Sequence, residues 1–214
     1  MTSPSRSRTE KPSPARERLL TTASSLFYAE GIGSVGVGRI VDEGHVTLAT
    51  LYRHFPSKQD LVVAYLQRVH DLIASRLDAA ASTSSGRDLV LSIADGVTEE
   101  LALPGFRGCA FLNAASEYED AASPVRRVIA EHRGWYYELV RRALDEAGHP
   151  LPGSAARHFV LIRDGAMCAA YLEDDGAAAR AFRRGVEGLL LSIDQERHVA
   201  PDPDDDLQQS AAAR

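Results

Sequence analysis

Residues 31–36, Gly-Ile-Gly-Ser-Val-Gly, match the spacing G-x-G-x-x-G, in which glycines let a dinucleotide pyrophosphate approach a helix N-terminus. That chemistry needs a strand before the glycines and an acidic residue for the ribose about 20 residues further on. The preceding Ala23 to Glu30 has a helical period and no such acidic residue follows, so the glycines read as a loop between helices. Cys109 and Cys168 are too few for a disulfide framework or a four-ligand zinc site. Glu117, Glu119, Asp120 and His132 have the spacing of no recognised metal site. No nucleophile–base arrangement emerges either. The expectation is a protein without catalytic residues, cofactor or metal.

Binding chemistry is better supported, in Arg107-Gly-Cys-Ala-Phe-Leu-Asn-Ala-Ala-Ser-Glu-Tyr-Glu-Asp120. On a helix Cys109, Asn113 and Glu117 fall at i, i+4 and i+8, a polar stripe beside Phe111, Ala115 and Tyr118. Such a stripe orients a small ligand, or else Asn113 and Glu117 cap backbone or pair with arginines. Cys109 follows Gly108 and falls in a first helical turn, where the positive helix end lowers a thiol pKa. It is therefore either a redox- or electrophile-sensing group or an inert buried thiol. His132 shares an apolar face with Val128, Ile129, Trp135 and Tyr136, as a core residue or a ligand contact. The candidate ligand set is Phe106, Cys109, Phe111, Asn113, Glu117, His132, Trp135 and Tyr136, whose acidic member favours a cationic or hydrogen-bond-donating ligand.

The elements that must position these residues are helical throughout. Leu19, Leu20, Ala23, Leu26 and Phe27 form one stripe, and Leu61 to Leu77 carry a long amphipathic one that starts after Pro56. Leu89, Ile93, Val97 and Leu101 repeat every four residues. Val125 to Ala143 form another stripe, and two last helices are expected over residues 153–173 and 177–193. No alternating β-branched run argues for a sheet, so the fold class is all-α. No stretch approaches the roughly 20 uncharged apolar residues of a membrane span, and Met1 to Arg18 lack the apolar run of a secretory signal. A cytoplasmic protein is expected. The 214 residues carry a net charge of −6, unevenly spread. Residues 1–58 hold eight Lys/Arg against five Asp/Glu (+3), and residues 59–214 hold 16 against 25 (−9). A basic N-terminal segment on an acidic chain points to nucleic acid.

Within that segment, Val37 to Glu43 fits a short helix, Gly44-His45 a tight turn, and Val46 to His54 a second short helix. This is the spacing of a helix-turn-helix, whose second helix enters the major groove. Val46 and Leu51 face inward, leaving Thr47, Leu48, Thr50 and Tyr52 available to DNA. Pro56 cannot extend the helix and Ser57 is placed to cap the next one.

The segment Thr50-Leu-Tyr-Arg-His-Phe-Pro-Ser-Lys58, followed by Asp60-Leu61, resembles the signature of TetR-type regulators. Gly31, Ile40, Val46 and Leu51 fall in register with it, and the likeness is dense over residues 18–62. The Gly-Cys-x-Phe-x-Asn-x-x-x-Glu segment from Gly108 resembles one seen in a subgroup of these regulators. The resemblance implies a homodimer of all-helical subunits, each with one reading head and one regulatory domain. It implies that Thr47, Thr50, Tyr52, His54 and Lys58 touch bases or phosphates. Val35 stands where a phosphate-contacting Thr is common, and Ser34 or Gly36 is the expected substitute through hydroxyl or backbone N–H. His45 replaces a usual turn glycine.

The expected organisation is a basic disordered arm (1–14), a helix-turn-helix domain (15–60), a regulatory and dimerisation domain (61–198) and an acidic disordered tail (199–214). The resemblance puts the dimer interface on the last two helices, for which Phe159, Ile162, Ala166, Phe182, Val186, Leu189 and Ile193 are the candidates. The expected partners are a palindromic double-stranded DNA operator, a second copy of the chain and an unidentified small-molecule effector, with no membrane. The implied function is a repressor released from its operator by that ligand, the alternative being a redox or electrophile sensor acting through Cys109.

Overall fold

The structure is a computed structural model that describes residues 13–173 and 176–193. Apart from Ser13 and Pro14, the expected arm lies outside the described residues, as does the whole expected tail. The described residues form nine helices and no strand. In order these are α1 (Pro14–Glu30), α2 (Val37–Glu43), α3 (Leu48–His54), α4 (Lys58–Ala81), α5 (Gly86–Leu101), α6 (Ala110–Glu117), α7 (Pro124–Glu146), α8 (Pro152–Leu172) and α9 (Ala177–Leu191). None of them is long and apolar enough to cross a membrane. One compact unit runs to Tyr65 and a second starts at Leu66, so the division falls inside α4.

The first unit folds around α1. Ser13 is its N-cap, its Oγ accepting from the Arg16 N–H at 3.2 Å, and Pro14 occupies the first helical position, where a missing N–H costs nothing. Two residues expected in the arm therefore start the helix. Leu19, Leu20, Ala23, Leu26 and Phe27 bury one face against Ile40 and Val41 of α2 and Leu51 of α3. The second short helix begins at Leu48 rather than Val46. Thr47 has extended backbone and caps it, because its Oγ1 accepts from the Thr50 N–H at 3.2 Å. Ser57 opens α4, accepting from the Asp60 N–H at 3.1 Å and donating to the Asp60 carboxylate at 2.7 Å.

The second unit packs α5 against α7, α8 and α9, with α6 laid on α7. Val90, Ile93, Val140, Leu144, Phe159, Met167, Phe182, Val186 and Leu190 form its core. Most of the residues expected at the dimer interface lie in or beside this core. Phe159, Ala166, Phe182, Val186 and Leu189 are buried within the chain itself, because the largest apolar side chains of α8 and α9 face this core. Ile162 is half-buried at the α8–α9 contact, where a Cβ added at Gly185 would lie 2.9 Å from its Cδ1, and Ile193 is also half-buried. The exposed positions of α8 include Leu161, Gly165, Cys168 and Leu172, at alternating spacings of four and three. The exposed positions of α9 include Ala181, Gly188 and Leu191.

His45 is the one described non-glycine residue with positive φ, at 50°. The left-handed conformation costs a β-carbon-bearing residue about 1–2 kcal/mol, partly offset by the lower unfolded-state entropy of His relative to Gly. His45→Gly should therefore raise unfolding stability by about 0.5–1 kcal/mol in urea titrations. A loss of stability would show that the imidazole makes a stabilising contact outweighing the strain.

Candidate functional site

In the first unit, α3 presents a side-chain surface that packing does not explain. Leu51 anchors it at 0% exposure, whereas Leu48 and Tyr52 are 47% and 46% exposed. Thr47, Ala49 and Arg53 are exposed beside them, and Thr50 is half-buried with its hydroxyl 2.9 Å from that of Thr47. His54 is half-buried and its Nε2 lies 3.1 Å from the Ser13 hydroxyl, tying the end of α3 to the start of α1. The Lys58 ammonium donates to the Ile32 carbonyl at 2.6 Å and lies 5.9 Å from the Phe27 ring centroid, which pins the glycine loop to α4. Ser34 and Gly36 are exposed, while Val35 is completely buried. The structure thus gathers Thr47, Leu48, Thr50 and Tyr52 on one helix and gives His54 and Lys58 internal partners as well. Arg53, exposed between Tyr52 and His54 on the same helix, was not among the residues singled out from the sequence.

In the second unit the candidates divide. Cys109 caps the N-terminus of α6 and is buried, as are Phe111, His132 and Tyr136. The His132 ring stacks on Phe111 with centroids 3.6 Å apart, and its Nδ1 lies 3.0 Å from the Nδ1 of His70. Trp135 lies edge-on to His70 at 4.8 Å. The stack fills the space, leaving about 10 Å³ beside Cys109, Phe111, His132 and Tyr136, too little for a ligand. Phe106 lies apart in a groove of about 550 Å³ with Leu101, Leu103 and Tyr171. Asn113 is exposed and donates to the Arg107 carbonyl at 2.8 Å, and Glu117 is exposed at the end of α6.

The sequence reading overlooked Arg163. This guanidinium is buried at 6% exposure. Its Nη1 donates to the Asp164 carboxylate at 3.0 Å and to the Cys109 sulfur at 3.4 Å, and its Cζ lies 5.4 Å from the Tyr136 ring centroid. Asp164 also pairs with Arg133 at 2.8 Å. On the side of Arg163 lined by Ile73, Leu77, Ile93 and Val97 is a cavity of about 50 Å³, which Tyr136, Glu100 and Arg76 also line. The signal for Arg163 was its register, four residues beyond Phe159 and three before Ala166, on the buried face of α8.

Burial, with Arg163, His70 and Arg133 nearby, holds the His132 pKa down at about 3. Burial likewise pushes the Tyr136 hydroxyl up to about 12 and raises the Glu100 carboxyl above its ordinary value. No group of three His, Cys, Asp or Glu among the described residues could hold a metal.

Residues 19–65 match the family model for bacterial regulatory proteins of the tetR family. The chain is similar to the crystal structure of a TetR-family transcriptional regulator from Streptomyces coelicolor. The two are 46% identical with a TM-score of 0.81, over 84% of this chain and 95% of that one. The chain belongs to the TetR family. A TetR-type regulator from Streptomyces avermitilis is 29% identical with a TM-score of 0.75, over 84% of this chain and 98% of its own. The transcriptional activator FasR of Mycolicibacterium smegmatis is 37% identical over 73 residues, which are 34% of this chain and 33% of FasR. The match spans about a third of the length of such curated relatives.

His132 gives this TetR-family chain a defined acid response. Folded His132 stays neutral down to about pH 3, whereas unfolded His takes up a proton near pH 6.5. Between those values the unfolded state binds more protons, so stability falls as pH drops from 6.5 towards 3. Urea titrations across this window should show a shallower pH slope for His132→Leu than for the unmodified chain. Equal slopes would mean that His132 does charge in the folded protein.

Proposed function

We propose that this TetR-family chain is a sequence-specific DNA-binding transcriptional regulator. It acts as a homodimeric repressor, released from a palindromic operator by a small molecule bound in the second unit. The observation that carries DNA binding is the exposed face of α3, where a leucine and a tyrosine stand nearly half accessible on the second helix of a helix-turn-helix. Apolar contact suits the thymine methyl, and hydroxyls suit base edges or phosphates. Leu48, Thr47 and Thr50 are assigned to base reading, Tyr52, Arg53 and Lys58 to phosphates. Ser34, Gly36 and His54 are proposed as further DNA contacts. Repression is the simplest consequence, since a dimer seated on duplex DNA excludes other proteins from it. The continuous helix α4, which contributes residues to both units, is the proposed route for the ligand's effect, provided the ligand favours the DNA-incompetent state.

The proposed dimer surface is the exposed stripe Leu161, Gly165, Cys168 and Leu172 of α8 with Ala181, Gly188 and Leu191 of α9. Small residues there permit close approach and large apolar ones supply burial, as an isologous helical interface requires. A redox role for Cys109 has one supporting contact, the Arg163 guanidinium at 3.4 Å from its sulfur, but the thiol is only 4% exposed. The ligand reading is therefore preferred.

Fluorescence anisotropy with a duplex from the chain's own upstream region should show affinity falling linearly in log–log coordinates as salt rises, from counterion release. Tyr52→Ala should weaken binding at least about tenfold on specific and random duplexes alike, without loss of stability. Undiminished affinity would remove Tyr52 from the interface.

Light scattering supplies the second test. Leu161→Asp with Leu172→Asp should give a folded monomer, whereas Leu189→Asp, which buries an unpaired charge in the chain's own core, should cost several kcal/mol of stability. A dimer that survives the α8 double change would relocate the interface.

A further inference from the structure

Two of the residues that line the cavity walled by Ile73, Leu77, Ile93 and Val97 carry unmatched hydrogen-bonding groups. Neither the Tyr136 hydroxyl nor the Arg163 Nε has a hydrogen-bond partner, and both residues are more than nine-tenths buried. A buried donor without a partner costs about 1–3 kcal/mol, more when it is charged, so native chains keep such groups where something meets them. Asp164 is shared between Arg163 and Arg133, at 3.0 and 2.8 Å, so one carboxylate serves two guanidiniums. Arg76 adds a third cation at the cavity wall, paired with Glu99.

We propose that this cavity takes the carboxylate of a small, otherwise apolar acid, held by the Arg163 Nε–H and the Tyr136 hydroxyl. The inference rests on the reading of the second unit as a ligand sensor and names the class of its ligand. Two unpartnered donors on neighbouring lining residues select an acceptor, and a guanidinium edge favours a carboxylate over a neutral carbonyl. Ile73, Leu77, Ile93 and Val97 supply an apolar wall for the carbon chain. About 50 Å³ accommodates the carboxylate and its first carbons, with the remainder directed along that wall. Among the described residues Glu100 is the one acidic group lining the cavity, and the charges of Arg163 and Arg76 act on it. A cationic ligand, expected from the sequence on the strength of Glu117, would meet those guanidiniums instead.

The test is calorimetric titration of the full chain, without DNA, with hexanoate, hexan-1-ol and hexylammonium under matched salt. Because no DNA is present, the outcome is independent of whether the chain reads a duplex. Hexanoate should bind saturably and more tightly than either analogue. Tyr136→Phe deletes an unpartnered hydroxyl and should leave the fold at least as stable, yet weaken hexanoate at least about tenfold. Arg163→Met should abolish binding. If Arg163→Met does not fold, Tyr136→Phe alone decides. No saturable hexanoate binding, equal affinity for the alcohol or the ammonium, or unchanged affinity in Tyr136→Phe would overturn the proposal.

Discussion

Among the described residues of the second unit, Arg163 is a cation buried in the core. Removing a guanidinium from water costs several kcal/mol even after relaxation, and that cost is recovered only with well-placed partners. Arg163 finds them on three elements. These are Asp164 beside it on α8, the Cys109 sulfur at the N-cap of α6, and the Tyr136 ring of α7. A desolvated cation–π contact of this kind contributes up to about 2 kcal/mol. The same requirement places α6 against α7 and aligns Tyr136 with the cavity. Truncating one partner of such a buried pair typically costs about 3–5 kcal/mol, since the other charge is stranded. What the partners leave over, one Nε–H and one hydroxyl, is the feature from which the ligand assignment follows.

The first unit obeys a different constraint. A seven-residue helix cannot persist alone, because nucleation takes most of what one or two turns return. The recognition helix is therefore borrowed from its surroundings. Leu51 enters the core of α1 and α2, Thr47 closes the first turn, and His54 joins the last turn to Ser13. With its inner face committed in this way, the outer face is free to carry residues that serve a partner and not the fold. Leu48 and Tyr52 occupy that face.

Helix periodicity made the architecture legible. Stripes such as Leu89, Ile93, Val97 and Leu101 turn up as the buried face of α5, and the signature around residues 50–58 located the head. Boundaries were harder, because β-branched Val46 and Thr47 continue an apolar pattern that the cap interrupts. The expected interface fell on Phe159, Phe182, Val186 and Leu189 because size and spacing alone cannot say which partner buries a stripe. In the chain Phe159, Phe182 and Val186 turn into its own core, and Leu161, Leu172 and Leu191 remain outside with small residues between them. The cluster of Cys109, Phe111, His132 and Tyr136 was also legible, but as packed core. Arg163 was not, since a charge on an apolar face reads as an interruption until the groups that neutralise it, distant in sequence, are brought beside it.

The most direct test of the account as a whole is selection of duplexes from a random library by the full-length protein. The account predicts enrichment of an inverted repeat with half-sites about one helical turn apart, as a two-fold dimer of helix-turn-helix heads requires. A pool that stays random after repeated rounds would contradict it, as would convergence on a single unrepeated half-site.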